Sequence, residues 1–251
     1  MSFFCRNTYL ARQKFIMKQL LTFVLLFAVA VAQAQTVEEI IQKNANAMGG
    51  LENFKKVKTA KFSGTASAQG QEFPLTVQIV NGSAMRTDVE VMGQAIVNVY
   101  KDGKGWKINP FAGSETATDA TADELKEFKN QAYISTALMD YKDRGYKATL
   151  DGQEEVDGAK AYKIRLAADS AHVDTYYVDA STYMVIKFAG SRPVMGREMQ
   201  IETYFSDVKE FNGLKFSTTR TVKSEGQEVQ SVHFDKIELN VPVDEKIFEK
   251  G

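Results

Sequence analysis

The groups with which this 251-residue sequence could do chemistry are few: two histidines, one cysteine and scattered carboxylates. His172 could join Asp174, and His233 could join Asp235, as the start of a metal site. Zinc takes three or four protein ligands, and neither histidine has an H-x-x-x-H or cysteine partner. Both stand in strand-like runs, where they read as solvated side chains. Gly190-Ser191-Arg192-Pro193 lacks the flanking pattern of a nucleophile elbow. No phosphate-binding P-loop and no dinucleotide fingerprint occurs. Paired carboxylates such as Glu154-Glu155 lie beside turns, where charge serves solubility. The sequence points to no catalytic residue, no metal and no cofactor, and so to a protein that is not an enzyme.

The elements that would position any site begin after a leader. Leu20 to Ala32 is apolar apart from Thr22, follows Arg12, Lys14 and Lys18, and precedes Ala32-Gln33-Ala34. A basic region, a short apolar run and an A-x-A cleavage pattern make a secretory signal peptide. The expected organisation is a signal peptide over 1–34, with Met17 as an alternative start, and one domain over 35–251. Removing the leader takes away Arg6, Arg12, Lys14 and Lys18, with no acid, and moves the net charge from −1 to about −5. A mildly acidic surface argues against nucleic acid as a partner. The lone cysteine, Cys5, is in the leader and not at the cleavage site, so the mature chain carries neither a disulfide nor a lipoprotein signature.

Thr36-Val37-Glu38-Glu39 reads as a capping box opening a helix with an apolar face at Val37, Ile40, Ile41, Ala45 and Met48, stopped by Gly49-Gly50. From Lys58 the period changes to two. Phe73, Leu75, Val77 and Ile79 alternate against polar neighbours, as do Met85, Thr87, Val89 and Val91. Turn signals at Gln69-Gly70, Asn81-Gly82, Met92-Gly93 and Asp102-Gly103 recur about every 10–12 residues, the rhythm of antiparallel hairpins. Parity favours a three-residue loop, Asn81-Gly82-Ser83, over a two-residue one. Ala95–Tyr100 is apolar on both faces, which predicts cover on both sides. Thr121-Ala122-Asp123-Glu124 is a second capping box, and the helix behind it is expected to carry Leu125, Phe128, Ala132, Ile134, Leu138 and Met139 on one stripe. The second half reads as further hairpins about Asp157-Gly158, Asp179–Thr182, Asn212-Gly213 and Glu225-Gly226. Asp244 is expected to cap a last short turn that buries Ile247 and Phe248.

The block Asp102-Gly103-Lys104, then Trp106, then Asn109-Pro110-Phe111, then Ala117-Thr118 before a helix resembles the LolA/LolB/LppX-like outer membrane lipoprotein-sorting protein family. The opening Met48-Gly49-Gly50-Leu51-Glu52-Asn53-Phe54 and the closing Val243-Asp244-Glu245-Lys246-Ile247-Phe248 fit the same layout. The resemblance implies a mainly β fold with some α: an unclosed antiparallel half-barrel of about eleven strands, with helices over an apolar concavity. It implies a periplasmic carrier or chaperone for acyl chains of lipoproteins or lipids, a monomer that meets envelope membrane proteins as donor and acceptor. By motif and alternation the lining would be Leu75, Val77, Met85, Val89, Ile96, Trp106, Phe111, Ile134, Leu138 and Met139. Arg86, in Met85-Arg86-Thr87, falls where the family places a lid-latching arginine, although the aromatics that flank it there are lost here. A lipid- or lipoprotein-sensing adaptor like RseB, and a secreted β scaffold without a ligand, are the alternatives.

Overall fold

The structure is a computed structural model that describes residues 35–169, 172–194 and 197–250. The expected leader lies outside them. Thirteen strands form one antiparallel sheet: β1 (Thr59–Ala68), β2 (Gln71–Val80), β3 (Ala84–Val91), β4 (Gln94–Lys101), β5 (Lys104–Asn109), β6 (Ser114–Asp119), β7 (Lys147–Val156), β8 (Ala159–Ala167), β9 (Val173–Asp179), β10 (Val185–Val194), β11 (Arg197–Phe211), β12 (Leu214–Ser224) and β13 (Gln227–Leu239). Their order across the sheet is β6-β5-β4-β3-β2-β1-β13-β12-β11-β10-β9-β8-β7. The sheet is not closed, so β6 and β7 are its edges. Nearly every neighbour is also a chain neighbour, and the single long-range pairing, β1 with β13, joins the two halves.

The hairpins follow from their turn residues. Asp102-Gly103, Asp157-Gly158, Asn212-Gly213 and Glu225-Gly226 each have φ near +50° then +80°. Two consecutive positive values match the right-handed twist of the flanking strands, and glycine takes the second without a Cβ clash. At Asn81 the loop has three residues, as parity requires: Val80 pairs with Ala84, and Ile79 with Met85.

Register fixes which side chains share a face. Tyr100, Met85, Ile79, Ala60 and Leu239 lie in one row across β4, β3, β2, β1 and β13. Asn98, Thr87, Val77, Phe62 and Ile237 lie in the next. This concave face holds the largest apolar cluster, with Phe216 and Phe234 joining from the other half. Phe62, Phe216 and Phe234 meet at ring separations of 5.3–5.9 Å, tilted or edge to face, the preferred aromatic arrangement. Three helices cover the concavity. α1 (Val37–Ala47) buries Ile40 and Ile41 against Ile164, Leu166, Tyr176 and Val178 of β8 and β9. A short helix, α2 (Leu51–Lys56), follows it and buries Phe54. α3 (Ala122–Gln131) packs Leu125 and Phe128 on the β1–β5 half. Met85 is fully buried beneath this layer. Met85→Ala is therefore expected to cost about 2–5 kcal/mol, from lost transfer energy and the residual cavity, measured by urea denaturation.

β4 is covered on both faces, as its sequence predicts. Val97 and Val99 point outward and pack with Trp106 and Phe248, while Tyr100 points inward. Asp244 caps the C-terminal 3₁₀ turn (Glu245–Phe248), accepting from the Lys246 amide at 3.0 Å.

Candidate functional site: the concave face and its lid

Of the ten residues expected to line a hollow, eight reach the concavity. Leu75, Val77, Met85, Val89, Ile134 and Met139 belong to the cluster beneath α3. Leu138 is fully buried against α1 in the neighbouring cluster. Ile96 pairs with Val89 and shares its face. Trp106 does not line the concavity. It pairs with Val99 on the outer face, where its indole nitrogen donates to the Phe248 carbonyl at 3.1 Å. Phe111 is 54% exposed on a 3₁₀ turn, Pro110–Ala112, beside the β6 edge.

Arg86 does not latch the lid either. Its guanidinium is bidentate to Asp88 and donates to the Ile247 carbonyl at 2.8 Å, with the Trp106 ring 5.8 Å away. It fastens the C-terminal turn to the outer face. The parity that places Met85 inside places its neighbour Arg86 outside.

The lid is α3 together with the segment that follows it. Thr121 caps the helix, and its capping box with Glu124 is formed. The helix ends at Gln131, short of the expected Met139. Asn81 explains the stop: its Oδ1 accepts from the Ile134 amide at 3.1 Å, and the Gly82 amide donates to the Ala132 carbonyl at 2.8 Å. A tertiary cap thus ends the helix before Ile134, and residues 132–145 continue as turns. Ile134, Leu138 and Met139 still reach the core from that irregular segment.

Glycine 105 lets the lid descend. A Cβ there would lie 2.8 Å from Leu125 Cδ2. Ion pairs then fasten α3 to both arms of the sheet. On one side Glu124 pairs with Lys107 of β5. On the other, Glu127 pairs with Arg192 of β10 at 2.6 Å, and Arg192 is held in turn by Asp174 of β9 at 2.9 Å. Burial works against the Arg192 charge, but the Asp174 hydrogen bond and the Glu127 and Asp174 charges outweigh it and raise its pKa. Arg192 folds back over Gly190, where a Cβ would sit 2.2 Å from Asp174 Oδ1. Arg192 thus ties α3 to β9 and β10, from a strand the sequence reading considered only for nucleophile chemistry.

For Glu124, burial alone would raise the carboxyl pKa. The Lys107 hydrogen bond and the Thr121 contacts overcome it and hold the pKa below the ordinary 4.5. A depressed carboxylate pKa contributes stability above the unfolded-state value, and the contribution is lost as pH falls through the folded-state value. The amides of α3 are therefore expected to lose protection from hydrogen exchange in acid below that range. Glu124→Gln should show the faster exchange already at neutral pH, with little further change in acid.

His172 pairs with Asp169 at 2.8 Å, and His233 meets Thr219 Oγ1 at 2.8 Å. Among the described residues no group of three or more His, Cys, Asp or Glu is placed to hold a metal. The features that sequence reasoning missed are the far-side aromatics Phe62, Phe216 and Phe234, the Arg192 tie, and Arg220 on β12. Alternation along Leu214, Phe216, Thr218, Arg220 and Val222 could have found the last.

No protein-family model matches the sequence, and no curated protein matches it. Solved structures match it in fold. A LolA superfamily protein from Nitrosomonas europaea superposes with a TM-score of 0.58 at 13% identity, the match covering 86% of this chain and 99% of that one. An outer membrane lipoprotein-sorting protein domain from Vibrio parahaemolyticus gives 0.57 at 12% identity, over 86% and 96% of the two chains. A DUF1329 family protein from Desulfovibrio piger gives 0.57 at 12% identity, over 86% and 98%. At such identities the likeness is one of fold.

Proposed function

We propose that this chain, whose fold is LolA-like, is a non-enzymatic periplasmic carrier or chaperone for acyl chains of lipids or lipoproteins. In this reading residues 1–34 direct export and are cleaved after Ala34. The monomer of 35–251 then takes its cargo from one envelope membrane protein and delivers it to another. The observation that carries the reading is the construction of the lid. An apolar face running from β1 to β5 is covered by a ten-residue helix held at its flanks by two ion pairs that are only partly buried. Partly exposed pairs contribute little, so the main cost of lifting the helix is uncovering Leu125 and Phe128, and no sheet hydrogen bond need break. Each acyl CH₂ that replaces it on the apolar face gains about 0.8 kcal/mol. Met85 and Met139 on that face repack readily around a flexible chain.

One observation favours a second reading. Beneath α3 the concavity is filled by Phe128, Ile134 and Met139, as it would be in a β scaffold with no ligand. Native mass spectrometry and lipid extraction of protein purified from a periplasm separate the two. Co-purified acyl lipid or lipoprotein, lost on Val77→Asp but retained on the outer-face change Trp106→Phe, is the carrier's result. Protein free of lipid that takes up none when lipid is in excess leaves the scaffold.

A further inference from the structure

Arg220 lies on the concave side of β12. It pairs with Phe205 of β11 and Val232 of β13, and Val232 pairs with Ala66 of β1. That row faces the same interior as the acyl-chain surface under α3. Its neighbours are apolar and only half covered: Phe205, Val222 and Val232 are all partly buried. The side chain makes no hydrogen bond and no ion pair among the described residues. Its contact is the face of Phe234, 5.5 Å from the guanidinium carbon.

Arg220 is exposed to solvent, and no opposite charge stands beside it to offset the desolvation that lowers its pKa. Its geometric setting is the inward row of half-covered apolar side chains and the Phe234 ring face. The contrast with Arg192 on the same face is direct. Arg192 spends its donors on Asp174 and Glu127, whereas Arg220 has no such partner among the described residues. Arginine keeps its charge at any physiological pH, so Arg220 remains a cation with no counter-ion among the described residues.

We propose that Arg220 is the anchor for an anionic group at the end of the bound chain, so that the protein selects acidic amphiphiles over neutral ones. The ligand class is an acyl chain ending in a carboxylate or a phosphate, the two groups a planar guanidinium binds bidentately. Phe205, Val222 and Val232 receive the first methylenes, and the chain continues along the face beneath α3. The inference rests on the carrier reading above and deepens it.

The test titrates residues 35–251 with palmitate, hexadecyl phosphate and hexadecanol, which share one chain and differ in the head. Wild type should bind at least one of the anions about tenfold or more tighter than the alcohol, as a charge-assisted bidentate contact implies. Arg220→Met should lose that preference while its affinity for hexadecanol stays the same, and Arg220→Lys should keep part of it. Because no partner is left without a bond, Arg220→Met should melt at or above the wild-type temperature, which shows that lost preference is not lost fold. Palmitate favoured over the phosphate identifies a fatty-acid-type cargo; the reverse identifies a phospholipid-type one. Equal binding of all three by wild type, or a preference that survives Arg220→Met, overturns the anchor and leaves the carrier reading intact. Failure of all three to bind removes the carrier reading, and the anchor with it.

Discussion

Asp140→Ala is expected to destabilise the protein by about 3–5 kcal/mol, the cost of stranding one member of a buried ion pair. Asp140 and Arg144 have side chains only 6% and 5% exposed, and the Nε–Oδ1 contact is 2.5 Å. Every arm of the pair is used. Ser135 Oγ donates to Asp140 at 2.6 Å, while Arg144 donates to the Ser135 carbonyl at 3.1 Å and to Asn130 Oδ1 at 3.2 Å. Its guanidinium also lies over the Tyr133 ring at 4.0 Å. The network replaces the helix that stops at Gln131: residues 132–145 have no regular backbone ladder, and these side-chain bonds hold them. Removing Asp140 leaves a buried guanidinium without its counter-charge, as well as an unpaired Ser135. For a domain of this size the loss is on the order of 10 °C in Tm. The pair Asp140→Leu with Arg144→Met should recover much of it, since apolar replacement of both partners removes the stranded charge. Urea denaturation of the two variants checks this; an unchanged midpoint for Asp140→Ala would show that the network is not a stabilising one. Because Asn130 belongs to α3, the same variant should also weaken the lid.

Glu127→Gln and Arg192→Ala are expected to speed acyl-chain uptake about 2–5-fold without large loss of stability. Both break the pair that ties α3 to β10. Glu127 is 43% exposed and Arg192 27%, so solvent screening leaves roughly 0.5–1 kcal/mol in the contact. At 1.4 kcal/mol per tenfold, that converts to the stated rise in open lid. Glu127→Gln is the cleaner change, because it leaves Asp174 paired with Arg192. Stopped-flow uptake of a fluorescent fatty acid gives the rate. An unchanged rate would mean that the lid does not gate the face. Trp106 fluorescence is a poor reporter of this motion, since the indole sits on the outer face under Phe248.

Much of the fold could be read from residue types because the cues were local. Asp-Gly and Asn-Gly turns demand positive φ, and the strands between them alternate. Together they fix hairpins, parity and the three-residue loop at Asn81. The apolar pattern of β4 on both faces correctly signalled double cover. What parity cannot supply is which face curves inward. The family layout makes Trp106 a lining residue and Arg86 a lid latch. In fact both lie on the face that the C-terminal turn covers, brought there from 142 and 161 residues away. The end of α3 escaped for a similar reason. Ile134, Leu138 and Met139 continue the apolar spacing, and only the side chain of Asn81, 53 residues distant, ends the helix. Thirteen strands form the sheet among the described residues, where the family layout suggests about eleven. Arg192 and Arg220 were legible as inward positions of alternating strands, but a charge in an apolar row acquires meaning only once its partners, or their absence, are seen.

The central claim is that acyl chains occupy the concave face by displacing α3. Hydrogen exchange of residues 35–251, read by mass spectrometry with and without saturating palmitate, tests it most directly. The account predicts faster exchange across 122–139 in the presence of palmitate, with the amides of β1–β4 keeping or gaining protection. Uptake that leaves 122–139 as protected as in the free protein would place the ligand elsewhere and contradict the account.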